Sequence, residues 1–170
     1  MVAVTDTGPL NYLIQLGLDS LLQQLYGRLL VPQGVLFEMS HPLAPTAVRD
    51  WASQPPVWAE AKFIQGLRAD LHPLLGLGER EAISLAMQCE ADVLLVDDFE
   101  ARTVATAQGL AISGTLSVLI EGALQRQYEF EPKLAELKQL GFRMSDKVEA
   151  AAFDRYSQRK QQFRSRINPP

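Results

Sequence analysis

Short continuous apolar runs alternate along this chain with longer stretches in which apolar residues recur at helical spacing. The runs "MVAV" (1–4), "RLLVP" (28–32), "DVLLV" (92–96) and "LAI" (110–112) read as buried strands. "VWAEAKFI" (57–64) alternates in character and reads as an edge strand. Between the first two runs, Leu10, Leu13, Ile14, Leu16 and Leu18 mark one helix, broken at Gly17, and Leu21, Leu22 and Leu25 mark a second, ending near Gly27. Pro9 fits the first turn of the first helix, where its missing N–H costs nothing, and Pro32 starts a third helix, "PQGVLFEMS". Thr46–Ser53 is a fourth, stopped by Pro55 and Pro56.

"GLGEREAISLAMQCE" (76–90) is a strong amphipathic helix, with Ala82, Ile83, Leu85, Ala86 and Cys89 on its apolar face. "FEARTVATAQG" is a helix with Gly109 as its stop, and Ser113 or Thr115 can cap the next, "LSVLIEGALQR". Two more helices follow, one over Pro132–Leu140 and one from Ser145 past Tyr156. Residues 64–76 carry no clear period. Strands alternating with helices predict an α/β domain, a mostly parallel sheet with helices on both faces. In such sheets the functional crevice lies at the carboxyl ends of the strands. The expected organisation is one domain over residues 1–156 and a basic, flexible tail over 157–170.

Composition narrows the class. With 170 residues, 47% hydrophobic and 21% charged, the chain suits one globular domain. A single cysteine, Cys89, rules out an intramolecular disulfide and fits a reducing, cytoplasmic setting. Two histidines and one cysteine argue against a zinc site of Cys/His type. No segment approaches the roughly 20 apolar residues of a membrane span, and no leader peptide is expected from the first residues. The net charge of −4 does not favour nucleic-acid binding, but its distribution changes that picture. All 20 acids lie in residues 1–154, whereas residues 155–170 hold Arg155, Arg159, Lys160, Arg164 and Arg166 and no acid.

The acids fall in telling places. Asp6 follows the first strand, and Asp97 and Asp98 follow "DVLLV". Glu38 rides the helix after the second strand, and Glu79 opens the helix after "GLG". Each has an ordinary explanation: an Asx turn before Gly8, a helix cap, a first-turn acid facing the macrodipole. One carboxylate suffices for a cap, however, and here two stand side by side. Carboxylates delivered to one crevice repel, and a hard divalent cation resolves that repulsion. Oxygen-only donors point to Mg²⁺ or Mn²⁺. Glu81, two residues beyond Glu79, is expected to point elsewhere. No Ser/His/Asp arrangement is visible, and His41 and His72 read as loop residues before prolines. Gly76-Leu77-Gly78 lacks the lysine and the spacing of a P-loop. A receiver-like domain would need a late lysine, and none occurs between Lys62 and Lys133.

The ordered set "VTDTGPLNYLIQLG", "VPQGVLFEM", "LGLGEREAISLA" and "LLVDDFEARTVATAQGLAISGTLSVLIEGA" resembles the PIN domain, and within it the VapC-type branch. That resemblance covers about residues 1–127, and "GFRMS" with the final helix extends it to nearly the whole chain. It implies a three-layer α/β/α fold and a metal-dependent ribonuclease. It also implies that Asp6, Glu38, Glu79 and Asp97 form the catalytic cluster, with Asp6, Glu79, Asp97 and Asp98 as metal ligands. Many relatives have threonine-x-aspartate where this chain has Asp97-Asp98, which leaves open which of the two is the main ligand. Thr7 and Thr115 are candidates to contact these carboxylates or a phosphate, and Arg102 to reach a phosphate or brace the acids. Arg155, Arg159 and Lys160 are candidates to follow an RNA backbone. A toxin of this branch implies a small antitoxin partner and a homodimer. The leucines 18, 21, 22 and 25 are candidates for such a surface or for core.

Overall fold

Five strands, all parallel, build the sheet in this computed structural model, which describes residues 1–67, 75–125 and 127–167, and the side chains among them up to residue 162. The reading of His72 as a loop residue lies outside the described residues. The strands are β1 (Val2–Thr5), β2 (Arg28–Pro32), β3 (Ala59–Lys62), β4 (Val93–Leu95) and β5 (Ile112–Ser113), in the order β3-β2-β1-β4-β5. The expected edge strand, β3, is indeed at an edge.

The chain runs outward from β1 to β3, then crosses back to β4 on the other side of β1 and continues to β5. The strand order therefore reverses at β1 and β4, and in open parallel sheets that reversal opens a crevice at the strands' carboxyl ends. Here the crevice lies where Asp6 and Asp97 leave their strands. The ladder holds the two exits in register, with Thr5 opposite Leu95 and the Asp6 N–H donating to the Leu95 carbonyl at 2.9 Å.

Parallel strands are covered on both faces, so they read as continuous apolar runs rather than alternating ones. Val4, Leu30, Leu94 and Val96 join a cluster with Ala82, Ile83, Leu85 and Ala86 from α5 (Leu77–Gln88) and with Ala101 and Ala105 from α6 (Phe99–Ala107). Their sequence neighbours Ala3, Leu29, Val31 and Leu95 point the other way and are just as buried. Four helices fill the connections on the β2 side: α1 (Thr7–Gln15), α2 (Ser20–Tyr26), α3 (Gln33–Met39) and α4 (Thr46–Ser53). Leu21 and Leu22 of the leucine stripe are fully buried core residues, whereas Leu18 and Leu25 are half-buried.

The chain divides into two compact units, Met1–Thr115 and Leu116–Pro170. The second is helical: α7 (Thr115–Leu124, beginning on the last residue of the first unit), α8 (Phe130–Gln139) and α9 (Asp146–Ile167). Phe130 is its anchor, fully buried, stacked on Tyr156 at 4.8 Å and edge-on to Phe153 at 5.4 Å. Within the stretch expected to be a basic, flexible tail, α9 continues as helix to Ile167. Residues 157–167 hold no glycine or proline and are rich in glutamine, lysine and arginine, which propagate a helix readily. Among the described residues no helix is long and apolar enough to cross a membrane.

Candidate active site

Asp6 stands at the N-cap of α1, where its carboxylate accepts the Gly8 N–H at 3.5 Å. It is nearly buried, at 6% exposure. Burial pushes its pKa up to about 7; backbone N–H groups of Thr7 and Gly8 pull against this, while the charges of Glu79 and Glu38 push it further. Asp97 lies at the exit of β4, and burial raises it too, opposed by Thr115 and the Arg102 charge. The Thr115 N–H donates to Asp97 Oδ1 at 2.9 Å and the Thr115 hydroxyl to Oδ2 at 2.5 Å. The Oδ2 atoms of Asp6 and Asp97 both lie 3.8 Å from the point where a Cβ on Gly8 would sit, so both carboxylates border that glycine.

Glu38 and Glu79 arrive from α3 and α5. Glu38 accepts the Thr7 hydroxyl at 2.5 Å and the Gly78 N–H at 3.0 Å. Glu79 accepts the Gly76 N–H at 2.7 Å and so closes the N-terminus of α5. Burial raises its pKa, and the charges of Asp98, Glu38 and Glu100 add to the effect. Asp98 is the N-cap of α6 and accepts the Ala101 N–H at 2.9 Å. The adjacent aspartates thus divide their work: Asp98 caps a helix while its charge still reaches Glu79, and Asp97 turns to Thr115.

Helix N-termini supply an N–H to each acid: α1 to Asp6, α5 to Glu38 and Glu79, α6 to Asp98, α7 to Asp97. Their dipoles favour negative charge. That compensation is incomplete, because Asp6, Glu79 and Asp97 remain raised. Among the described residues no lysine or arginine forms an ion pair with these acids. Arg102 instead donates from Nη1 to the carbonyls of Val96 (2.7 Å) and Ser113 (3.2 Å), bracing the ends of β4 and β5 beside Asp97.

Two glycines make room for this cluster and a third, Gly34, for Glu81 outside it, and the sequence reading gave them no such role. A Cβ on Gly78 would lie 2.8 Å from Glu38 Oε2, and one on Gly114 would lie 2.6 Å from Asp97 Oδ1. A Cβ on Gly34 would strike Glu81 at 2.5 Å. None of the three has a positive φ, so each is glycine for room rather than for an unusual backbone. "GLG" stood out in the sequence as a poor P-loop; its second glycine is the seat of a carboxylate. Glu81 points away from the cluster as expected, accepting the Gly34 N–H at 2.7 Å. His41 is a loop histidine whose Nδ1 accepts the Leu43 N–H.

The donor set suits a hard divalent cation in kind: all oxygen, with Asp6 buried, Glu38, Glu79 and Asp97 half-buried and Asp98 exposed, and negative charge without an ion-pair partner among the described residues. The carboxylates are turned to local hydrogen-bond donors, and among the described residues no three of them close around a point that could hold a metal ion. Arg155, Arg159 and Lys160 lie in the second unit. Arg155 donates to Ser117 at 3.1 Å, Arg159 pairs with Glu121, and Lys160 sits 5.0 Å over the Tyr156 ring.

A parallel sheet with acids gathered at its point of reversal defines a PIN-like class of protein. The family model described as PIN domain matches residues 2–158, and the chain belongs to that family. Its members are generally nucleases that use divalent metals. Among solved structures, a PilT N-terminus domain protein from the hyperthermophilic archaeon Sulfolobus solfataricus P2 is similar in fold. It superposes with a TM-score of 0.52 at 14% identity, over 71% of this chain and 92% of that one. No curated protein sequence matches the chain.

Proposed function

We propose that this chain is an endoribonuclease dependent on Mg²⁺ or Mn²⁺, of the VapC type, acting as the toxin of a toxin–antitoxin pair. The observation that carries the reading is Asp6: a nearly buried carboxylate whose pKa is pushed up to about 7, first by burial and then by the charges of Glu79 and Glu38, with no ion-pair partner among the described residues. Such a group is costly unless something positive joins it.

Asp6, Asp97, Glu79 and Asp98 would hold the cation, which supplies a more acidic bound water and offsets charge on the phosphodiester's transition state. Thr115 and Arg102 fix Asp97 and the strand ends around it. Thr7 and the Gly78 N–H hold Glu38, and Glu38 or Asp98 orients the attacking water. On the electrostatic side, Arg155, Arg159 and Lys160 offer positive charge to an RNA backbone. Removing residues 155–170 would also remove buried Tyr156, so Arg155→Gln is the cleaner test. It should weaken RNA binding and flatten the salt dependence by about one unit of slope. An unchanged slope in titrations at several salt concentrations would exclude that role. A small antitoxin and a second copy of the chain are the partners this reading implies.

One observation favours a second reading, a catalytically degenerate PIN module that only binds RNA or protein: the acids do not close around a metal position among the described residues. Cleavage of a mixed set of structured and unstructured RNAs decides between the two. Assays with Mg²⁺, with Mn²⁺ and with chelator should show metal-dependent cleavage in the wild type that Asp6→Asn loses. Folded, inhibitor-free protein that cuts no RNA with either metal would select the binding module.

A further inference from the structure

An edge crowded with carboxylates repels a polyanion, so the cations near it decide what it can receive. In the first unit most of the described cationic side chains are already engaged. Arg28 and Lys62 pair with Glu60, Arg49 donates to the carbonyls of Pro42 and Ala44, and Arg102 to those of Val96 and Ser113. Arg80 is different. It is half-buried, its Nε is shut off from solvent, and that nitrogen has no acceptor among the described residues. Its sequence neighbours do not answer it, because Glu79 is turned to the Gly76 N–H and Glu81 to the Gly34 N–H.

A charged donor cut off from water without an acceptor is costly, and folded proteins keep few of them. A guanidinium cannot shed its proton to escape that cost. Arg80 also stands at a telling place, in the first turn of α5. That turn serves the acid cluster: Gly78 gives its N–H to Glu38, and Glu79 is itself one of the acids. Consecutive Cα atoms are about 3.8 Å apart, so Arg80 is rooted one such step from Glu79. The end of the helix adds partial positive charge of its own.

We propose that Arg80 is a substrate-binding residue, its guanidinium taking a phosphate of the RNA strand beside the bond presented to the acids. The proposal rests on the reading of the cluster as an RNA-cleaving site. The planar fork of donors matches phosphate oxygens, and Nε with one Nη makes a two-point contact. Arg155 and Arg159 hold Ser117 and Glu121, so they must loosen a contact to meet RNA. The Nε of Arg80 gives up no acceptor to do so. A carboxylate of an acidic protein segment fits the same fork. RNA is favoured because the acids that Arg80 adjoins are themselves read as receiving a phosphodiester.

The test uses the full chain carrying Asp6→Asn, so that RNA is bound and not cut, with Arg80→Met or Arg80→Lys added. Methionine keeps an apolar stem and loses the charge; lysine keeps the charge and loses Nε and the fork. A short labelled RNA is titrated at several salt concentrations. Arg80→Met should weaken binding roughly tenfold and flatten the salt slope by about 0.7 of a unit. Arg80→Lys should keep the slope and still bind less tightly than the parent. Without RNA, Arg80→Met should melt no lower than the parent, because no partner is lost. Inorganic phosphate should raise the melting temperature of the parent and not that of Arg80→Met. Parent-like RNA affinity and salt slope in Arg80→Met would overturn the proposal, and a lower melting temperature beside them would make Arg80 a structural cation. Unchanged RNA affinity with loss of binding to poly-glutamate would overturn it in favour of an acidic protein partner. The two readings fail separately. Cleavage by the wild type with KM unmoved by Arg80→Met removes this contact and leaves the nuclease. Binding that depends on Arg80 with no cleavage by the wild type removes the nuclease and leaves the contact.

Discussion

Asp6 binds a proton more tightly in the folded protein than an ordinary aspartate does, and stability must follow. Its pKa is raised from 3.8 to about 7, so the fold favours the neutral acid. Below pH 4 the group costs nothing; as pH climbs from about 4 to about 7 the metal-free fold loses stability, and above 7 the whole cost is present. At about 1.4 kcal/mol per pH unit that cost is on the order of 4 kcal/mol. Asparagine keeps the shape and the acceptor for Gly8 and removes the charge. In chelator at pH 8, Asp6→Asn should therefore melt well above the wild type, and the two should converge near pH 4. A variant less stable than wild type at pH 8 would mean that the charge is already compensated. Gly114 tests the same site by space instead of charge. Gly114→Ala places a methyl group 2.6 Å from Asp97 Oδ1 and 3.1 Å from the Val96 carbonyl, so the carboxylate must move. Displacement by about 1 Å costs roughly 100-fold in rate. RNA cleavage should fall by that order while circular dichroism stays native, and wild-type turnover in this variant would show that the position of Asp97 is immaterial.

At the scale of elements, the strands were legible because a doubly covered parallel strand is one unbroken apolar word, and β2 and α4 have the bounds their residues imply. The helix read from Pro132 begins at Phe130 instead; the ring that opens it is a core anchor, and burial extends a helix beyond what local signals mark. The end of α9 was missed for the opposite reason, since a stretch dominated by glutamine, lysine and arginine carries little periodic signal. Strand order could not be read, because nothing in a strand's own sequence names its neighbours. Asp6, Asp97 and Asp98 were legible as residues at strand ends, but the division of labour was not: which aspartate caps and which faces Thr115 depends on side-chain direction. The glycines that seat Glu38 and Asp97 were hidden for the same reason. Phe130 gives the element-scale prediction. It is fully buried against Tyr156 and Phe153, and Phe130→Ala should cost about 3–5 kcal/mol. Hydrogen exchange should show protection lost in α8 and α9; protection unchanged there would mean that the ring is not their anchor.

At the scale of the whole molecule, fold, charge and ligand are linked through one equilibrium. A ligand that binds only the folded chain stabilises it in proportion to its free concentration over Kd, by about 2.7 kcal/mol at a hundredfold excess. For a chain of this length each kcal/mol raises the melting temperature by about 2–4 °C, so saturating Mn²⁺ should raise it by about 5–10 °C. Protons and cations compete for the same carboxylates. With Asp6 titrating near 7, the shift should be large at pH 8 and should shrink towards pH 5.5, as the acid is neutralised before the cation can use it. Asp6→Asn should abolish most of the shift at every pH, because it removes both the ligand and the repulsion the cation relieves. The experiment needs no substrate, so it separates metal binding from cleavage. A pH-dependent shift without RNA cleavage describes a loaded but idle site. The same modest shift in wild type and variant, flat in pH, would place any bound cation away from Asp6 and remove the physical basis for a metal at the reversal of the sheet.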